Sequence, residues 1–570
     1  MTGANAAAVR GALPRSFSSG VSQAASERLA LYCLIGSWLL FGLFGRDPWK
    51  PDEAYTFGVV NHIVQTGDWI VPHLAGEPFM EKPPLFFFTS AVFVRLFGGA
   101  LSPHDAARLA TALYVGLTLL FAGLAAATLY GRARALPCVV ILIGCIGYLH
   151  PAHLLFTDHA MLAGIALALY GLANIRGRPN RGALALGTGA GIAFMSKGLL
   201  GPGVLALTAL ALALLPAWRT RRYALALLVA ALAFAPWASI WPWLLYRESP
   251  ALFHEWLVVN NIGRFIGAGR IGPEKDHLMY LKILPWFALP ALPLAAWHAW
   301  TAHRTGRRPW QRPEIQLPLV AACMFGGVLS VACTARYVYA LPILIPLSLL
   351  ASARPAMFPA SLATPLRFLA IGTGAVLGLA LWLGWLVLLM HWPASFADRI
   401  GETAPGFGAP FEPGVILLAV GATAGLGFLM LSSRRSADAL PITWAASLTL
   451  PWVLCMTLWL SYFDYGNSYR AMIAEMKGSM PAHAACLANR RLGEPQRAML
   501  EYFAGIVTHR EATAAAARCD VLLIQSREQP DELSQPRQWT LLWSGSRPGD
   551  LGEQFWLLQR KDSDPRASLP

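Results

Sequence analysis

Apolar runs recur from residue 29 to residue 461, and no interval between them is long enough to hold a soluble domain. A helix of about 20 apolar residues spans a bilayer because it satisfies its own backbone hydrogen bonds where no water can. Repetition on this scale predicts one polytopic helical unit. Only 13% of the 570 residues are charged, whereas a soluble globular chain carries roughly 25%. The formal charge is +14, but the basic residues fall in short clusters between apolar runs, as topology determinants do. Nucleic acid is therefore not expected as a partner.

Residues 1–28, with Arg10, Arg15 and Arg28, are expected to form a cytoplasmic tail before an uncleaved anchor. Basic clusters follow at Arg132/Arg134, Arg176/Arg178/Arg181, Arg219/Arg221/Arg222, Arg304/Arg307/Arg308/Arg312, Arg354/Arg367 and Arg434/Arg435. Placing all of them in the cytoplasm predicts about thirteen transmembrane helices. These lie near 29–45, 105–130, 135–151, 158–175, 183–196, 200–217, 223–245, 278–302, 317–334, 337–352, 365–390, 413–432 and 439–461. The apolar segment 83–98 is short and is read as an interfacial helix on the outer leaflet. Most acids of the 29–461 membrane domain then gather in two long outer loops, 46–104 and 246–277.

From residue 462 to 570 the composition turns soluble. Helical stretches are predicted near 467–477, 495–504 and 510–518, with strands at Val521–Ile524, Trp539–Trp543 and Phe555–Leu558, which together make a small C-terminal α/β extracytoplasmic domain. Six of the eight cysteines lie in apolar runs. The other two, Cys486 and Cys519, are a candidate disulfide in an oxidising compartment, with two buried thiols as the alternative.

The first outer loop reads Pro51-Asp52-Glu53-Ala54-Tyr55, then Gly67-Asp68-Trp69, then Gly76-Glu77-Pro78-Phe79-Met80-Glu81-Lys82-Pro83-Pro84. Ionisable groups at a membrane surface are costly unless they serve a site. Further on stand Phe156-Thr157-Asp158, Ser196-Lys197-Gly198 with Gly201-Pro202, Asn260-Asn261-Ile262-Gly263-Arg264-Phe265, Asp276-His277 and Arg336-Tyr337. This ordered series resembles the GT-C glycosyltransferases that use polyprenyl-phosphate sugars, in particular the bacterial lipid A aminoarabinose transferases and the protein O-mannosyltransferases. One position departs from the pattern. Where family members carry Asp-Glu-x-Arg-Tyr, this chain has Tyr55 and Thr56 in the last two places, so a phosphate-binding arginine is absent.

The resemblance implies an all-α GT-C membrane fold and a single inverting displacement. Asp52 is expected to act as base or to orient the acceptor, with Asp158 as the second acid; capping the helices they open is the competing role for both. Lys82, Arg336 and Arg264 are expected on the donor phosphate, with snorkelling the competing role for Lys82 and an anionic lipid headgroup the competing partner for the two arginines; Glu53, Tyr55 and Tyr337 are expected as further substrate contacts. Glu81 with His277 is a candidate site for Zn²⁺ or Mn²⁺/Mg²⁺, although no cofactor is required for transfer from so good a leaving group. Lys197 is expected to be mainly structural. Tyr55, Trp69, Phe79 and Phe86-Phe87-Phe88 are either an interfacial aromatic belt or a groove for the isoprenoid tail. Gly187-x-Gly189-x-Gly191 lies inside an apolar run and is read as close helix packing, not as a nucleotide loop.

The expected partners are a polyprenyl-phosphate-sugar donor, a lipid, glycan or protein acceptor, and the membrane, with the chain a monomer. The competing expectation is a lipid-linked sugar flippase or secondary transporter, whose binding groups usually lie at the midplane within repeats. No repeat is evident here, and the ionisable groups sit in outer loops. The excess of Arg over Lys and the Ala/Gly content suggest a bacterial inner membrane, with the amino terminus cytoplasmic and the C-terminal domain periplasmic.

Overall fold

The computed structural model describes residues 16–268, 276–304, 308–333, 335–354, 358–433, 436–482, 484, 486–531 and 538–561. Arg10, Arg15, Arg307, Arg434 and Arg435 of the basic clusters lie outside them, as does the stretch 269–275 of the second long loop.

Helix α1 (Ser16–Leu40) leads to the first long loop, which is itself folded. It contains α2 (Asp52–Thr66), a small hairpin of β1 (His73–Leu74) and β2 (Glu77–Pro78), and α3 (Leu85–Phe97). Helix α2 ends at Gly67, whose left-handed φ of 74° suits glycine. Helix α3 is the short apolar helix expected at 83–98, but Phe86 and Phe87 on it are fully buried against protein.

Helix α4 (Pro103–Tyr130) starts with proline at its first turn and a Ser102 cap that accepts from the Asp105 amide at 3.3 Å. It is followed by α5 (Ala135–Ile143), α6 (Ile146–Leu149), α7 (Asp158–Ile175), α8 (Pro179–Lys197), α9 (Leu200–Ala213) and α10 (Arg221–Glu248). A Cβ built on Gly164 would lie 2.5 Å from the Gly189 carbonyl oxygen, so glycine is what lets α7 and α8 touch along their backbones. Gly187 meets the Ala230 carbonyl of α10 in the same way. The glycine series therefore serves helix packing, as its apolar setting predicted.

The second long loop holds α11 (Pro250–His254), a π-helical turn over Glu255–Gly263 and α12 (Arg264–Ile266). Then come α13 (Met279–Phe287), α14 (Ala291–Arg304), α15 (Pro313–Val331), α16 (Leu341–Ser352), α17 (Ala360–Met390), α18 (Ala394–Gly401), α19 (Pro413–Ser432), α20 (Ala439–Cys455) and α21 (Leu460–Asn467).

Among the described residues six helices, α4, α7, α10, α15, α17 and α19, are long and apolar enough to cross a membrane, and counting three bent pairs as spans gives up to nine. All thirteen segments predicted as spans coincide with a helix or a bent pair. Burial separates the helices sharply. The most apolar stretch of α7 is 83% buried, whereas those of α10 and α17 are each 17% buried. Leu232 on α10, Phe368 on α17 and Leu417 on α19 are more than two-thirds exposed. An apolar exterior of this extent suits lipid contact.

The C-terminal segment adds α22 (Arg470–Gly478), α23 (Glu494–Ala504) and strands β3 (Leu487–Arg490), β4 (Thr508–Arg510), β5 (Val521–Gln525), β6 (Trp539–Arg547) and β7 (Asp550–Arg560). Their order is β4-β3-β5-β7-β6, parallel on both sides of β3 and antiparallel on both sides of β7. Strands β3 and β4 were not foreseen, and the helix expected over 510–518 is instead the end of β4 followed by turns and a single 3₁₀ turn at Ala516–Arg518. A disulfide joins Cys486 to Cys519, with Cα atoms 5.1 Å apart.

This segment is tied to the first long loop. Phe57, Phe86 and Tyr114 share one apolar cluster with Met472, Met499, Leu523 and Leu557. Lys50 pairs with Asp550 at 3.0 Å and Glu553 at 2.9 Å, Glu77 pairs with Arg497 at 2.9 Å, and Asp47 pairs with Arg470.

Candidate active site

Helix α2 opens at Asp52 directly after Pro51, which places the carboxylate at the helix mouth and Tyr55 one turn along on the same face. The Tyr55 hydroxyl donates to Asp52 Oδ1 at 2.6 Å. Lys82, carried in by the Glu81-Lys82-Pro83 segment, donates from Nζ to the same hydroxyl and lies 4.7 Å over the Tyr55 ring centroid. Arg336, in the link between α15 and α16, donates from Nη2 to Asp52 Oδ2 at 3.0 Å.

Two more carboxylate–cation pairs complete the ring. Asp158, the first residue of α7, pairs with Lys197, the last residue of α8, and Lys197 lies 4.4 Å over the Tyr339 ring centroid. Arg264 Nη1 donates to Glu81 at 3.1 Å. The chain can turn sharply after Lys197 because Gly198 has φ of +77°, and a Cβ there would collide with Asn261 Oδ1. That glycine therefore holds the π-helical turn against the end of α8.

All seven charged groups line one cavity of about 580 Å³. Lys82 has no carboxylate within ion-pair distance among the described residues. The rest of the lining is apolar, chiefly Leu200, Val204, Leu207 and Leu210 of α9 with Ile262 and Phe265. Leu207 and Leu210 are about half exposed at the outer surface of the bundle, so this wall runs from the charged groups towards lipid.

Electrostatics separate the groups. Burial alone would raise the Asp52 carboxyl, but Lys82, the Tyr55 hydroxyl and Arg336 together hold it below its ordinary value. Burial, reinforced by Asp52, raises the Tyr55 phenol, which therefore stays a donor. Burial lowers the Lys82 ammonium, Lys197 adds to this, and Asp52 opposes it. Arg336 is raised because Asp52 outweighs its burial.

The structure thus gathers Asp52, Asp158, Lys82, Arg336, Arg264, Tyr55 and Glu81 around one cavity. Three expectations are corrected. Glu53 points away from it: fully buried, it accepts from Arg46 and Arg108 and from the Leu155 amide at 2.9 Å. These cations outweigh burial and bring its carboxyl down to about 2. Its place one residue after Asp52 on a helix turns it about 100° from the cavity, towards α4 and the 154–157 link. Tyr337 is about half exposed and does not line the cavity; the helical turn brings in Tyr339 instead. Glu81 and His277 do not converge, since Glu81 engages Arg264 while His277 Nδ1 contacts the Ser330 carbonyl at 2.6 Å. Among the described residues no group of three or more His, Cys, Asp or Glu side chains is placed to hold a metal ion.

The aromatic residues divide likewise. Tyr55 faces the cavity, whereas Phe79, Phe86 and Phe87 are buried in the cluster beneath α2. Sequence reasoning undervalued Lys197 and passed over Tyr339, Arg46 and Arg108. A buried arginine within the long apolar helix α4 was the available signal for Arg108.

Residues 81–243 match the family described as dolichyl-phosphate-mannose-protein mannosyltransferase. The chain is 32% identical over 332 residues to an undecaprenyl phosphate-alpha-4-amino-4-deoxy-L-arabinose arabinosyl transferase of Sodalis glossinidius, covering 55% of this chain and 56% of that one. It is 29% identical over 346 residues to a second such transferase from Pseudomonas fluorescens, covering 57% and 59%. The aligned part is thus little more than half the length of these relatives. The fold is similar to the crystal structure of ArnT from Cupriavidus metallidurans bound to undecaprenyl phosphate, with a TM-score of 0.68 at 17% identity over 93% of this chain and 97% of that one. The chain is a multi-pass membrane protein with an ArnT-like fold, and it resembles the GT-C transferases that use polyprenyl-phosphate sugars.

Proposed function

We propose that this chain is an integral membrane glycosyltransferase that moves a sugar from a polyprenyl-phosphate carrier to a hydroxyl- or phosphate-bearing acceptor on a lipid, glycan or protein. The observation that carries this reading is the cavity in which Asp52, Lys82 and Arg336 meet at one end of an apolar wall. That arrangement suits a substrate with an anionic centre and a long hydrocarbon tail.

In the proposed step the acceptor oxygen attacks the anomeric carbon as the bond from that carbon to the phosphate oxygen breaks. The departing phosphate keeps the electron pair, and Lys82, Arg336 and Arg264 stabilise its charge. The acceptor proton passes to Asp52, and the anomeric configuration inverts. Asp52 is a weak base while Lys82 and Arg336 serve it. A donor phosphate that draws both cations away raises its basicity when a base is required. Asp158, fixed by Lys197, orients the bound sugar or acceptor. The wall of α9 receives the isoprenoid tail. No step is assigned to a metal.

The same reading takes the thirteen helical segments as thirteen spans, with the amino terminus cytoplasmic. Residues 29–461 then form the transferase domain and residues 462–570 a periplasmic domain of a bacterial inner-membrane protein. The basic clusters on one side and the acids of the first long loop on the other support this orientation.

The test is transfer in detergent from purified polyprenyl-phosphate sugars, comparing the wild-type chain with Asp52→Asn and Lys82→Ala. Loss of at least about a hundredfold in kcat for Asp52→Asn is expected from removal of a general base. Undiminished turnover in both variants would overturn the site. Absence of donor consumption with every acceptor class, together with movement of labelled lipid across vesicles, would instead favour a flippase.

A further inference from the structure

A second cavity of about 580 Å³ lies at the opposite end of the same helices. Helix α7 begins with Asp158 in the first cavity and reaches the second through Tyr170 and Asn174. Helix α15 runs the other way, with Glu314 in the second cavity and Leu329 in the first. The 18 residues of α7 span about 27 Å, close to the hydrocarbon thickness of roughly 30 Å. The two cavities therefore open at opposite faces of the membrane.

The second cavity is basic. Arg132, Arg176 and Arg178 line it, and Glu314 is the carboxylate in its lining. No acid pairs with any of the three arginines within ion-pair distance among the described residues. Arg176 lies 5.9 Å from the Trp218 ring centroid, which leaves its guanidinium edge open for hydrogen bonding. Guanidinium forks match phosphate oxygens in bidentate fashion. Apolar side chains of α4, including Leu124 and Leu129, form the adjoining wall, and Leu124 is exposed at the outer surface.

A largely apolar chamber of about 780 Å³, with Arg312 and Arg354 also in its lining, abuts this one and shares Leu129, Pro313 and Glu314 with it. Leu292, Leu319, Leu347 and Leu350 contribute to its lining. A cationic compartment next to a largely apolar one is complementary to a molecule with a phosphate head and a hydrocarbon chain.

We propose that the cavity framed by Arg132, Arg176 and Arg178 binds the headgroup of an anionic phospholipid at the face opposite the transferase cavity, with an acyl chain lying along Leu129. Positively charged pockets between helix ends on the cytoplasmic side recognise such headgroups through phosphate contacts and surface potential. The site stands independently of the transferase reading, because none of its residues lines the other cavity.

Native mass spectrometry of the purified full chain, delipidated in detergent and titrated with phosphatidylglycerol or with phosphatidylcholine, tests this. The wild-type chain is expected to retain one phosphatidylglycerol with at least about tenfold preference over the zwitterionic lipid. The triple variant Arg132→Gln/Arg176→Gln/Arg178→Gln is expected to lose that preference. Ala127→Trp keeps every arginine but fills the cavity from α4, and it is expected to lose binding as well, so it carries the test if the triple variant does not fold. Arg221→Gln/Arg222→Gln, a basic pair outside the cavity, is expected to bind as the wild type does. Unchanged lipid retention in Ala127→Trp would overturn the proposal. So would an equal loss in the Arg221/Arg222 variant, which indicates dispersed surface attraction. Complete displacement of the lipid by millimolar inorganic phosphate would overturn it too, since that indicates a site for small anions.

Discussion

Tyr55 donates its hydroxyl hydrogen to Asp52 and accepts one from Lys82, so a single phenol couples the Asp52 carboxylate to the Lys82 ammonium. The position is the one where the resemblance leads to the expectation of an arginine. An arginine there would place a second cation against Lys82, whereas tyrosine links the two groups without adding charge. The tyrosine is therefore compatible with a phosphate site in which Lys82 supplies the charge.

Tyr55→Phe keeps the ring under Lys82 and removes the hydroxyl bridge. Hydrogen bonds to charged groups contribute about 1.5–3 kcal/mol, so kcat/KM for the donor is expected to fall roughly 10- to 100-fold. Donor-saturation kinetics check this, and a variant within twofold of wild type would show that the bridge is not used.

Lys197→Ala leaves Asp158, 2% exposed, without its partner. Breaking a buried pair on one side typically costs about 3–5 kcal/mol. Thermal unfolding in detergent is expected to shift strongly downward for this variant, and less for the double variant Asp158→Asn/Lys197→Met, which removes both charges. A double variant as unstable as the single one would contradict the pairing.

Glu53 contributes to acid sensitivity. Its folded-state value of about 2 lies below the ordinary 4.5, so its charged form stabilises the fold above the unfolded value. That contribution, on the order of 3 kcal/mol, is lost as pH falls from about 4.5 towards 2. Glu53→Gln is expected to unfold at lower temperature near neutral pH and to show a flatter stability profile over that acid window. Stability curves of the two proteins measured across this range decide the matter.

The C-terminal segment depends more on Glu553 than on Lys50, the partner that reaches Glu553 from the first long loop. Glu553 is buried and accepts from Lys50, Tyr469, Gln496 and Arg547, whereas Lys50 is about a third exposed. Glu553→Ala is expected to cost several kcal/mol, while Lys50→Ala costs about 1 kcal/mol or less, because a half-solvated pair is screened. Protease sensitivity of the C-terminal segment, compared between the two variants, distinguishes these effects.

Several features were legible from local sequence. Apolar runs and basic clusters marked all thirteen helical segments, because hydropathy and loop charge are read without knowing what packs where. The ordered motifs around Asp52, Lys82, Asp158, Arg264 and Arg336 marked the residues that meet at the cavity. Glu53 and Tyr337 were misassigned because adjacency in sequence stood in for adjacency in space. On a helix neighbouring side chains diverge by about 100°, and residue 53 belongs to a different neighbourhood from residue 52. Strands β3 and β4 escaped notice because each is short and is stabilised by parallel pairing with a distant partner.

Hydropathy and the distribution of charge along the chain suffice to place it in a membrane, to mark its loops and to pick out ionisable residues too costly to be incidental. Their pairing emerges from the folded arrangement of the helices: Asp52 with Arg336, Asp158 with Lys197, Glu81 with Arg264, and Glu53 withdrawn to Arg46 and Arg108. The reason is physical. Hydrophobic patterning is a property of each segment alone. Which cation reaches which carboxylate depends on how closely whole helices approach; for Asp158 and Lys197, at the ends of α7 and α8, that approach is set by backbone contact at Gly164 and Gly189.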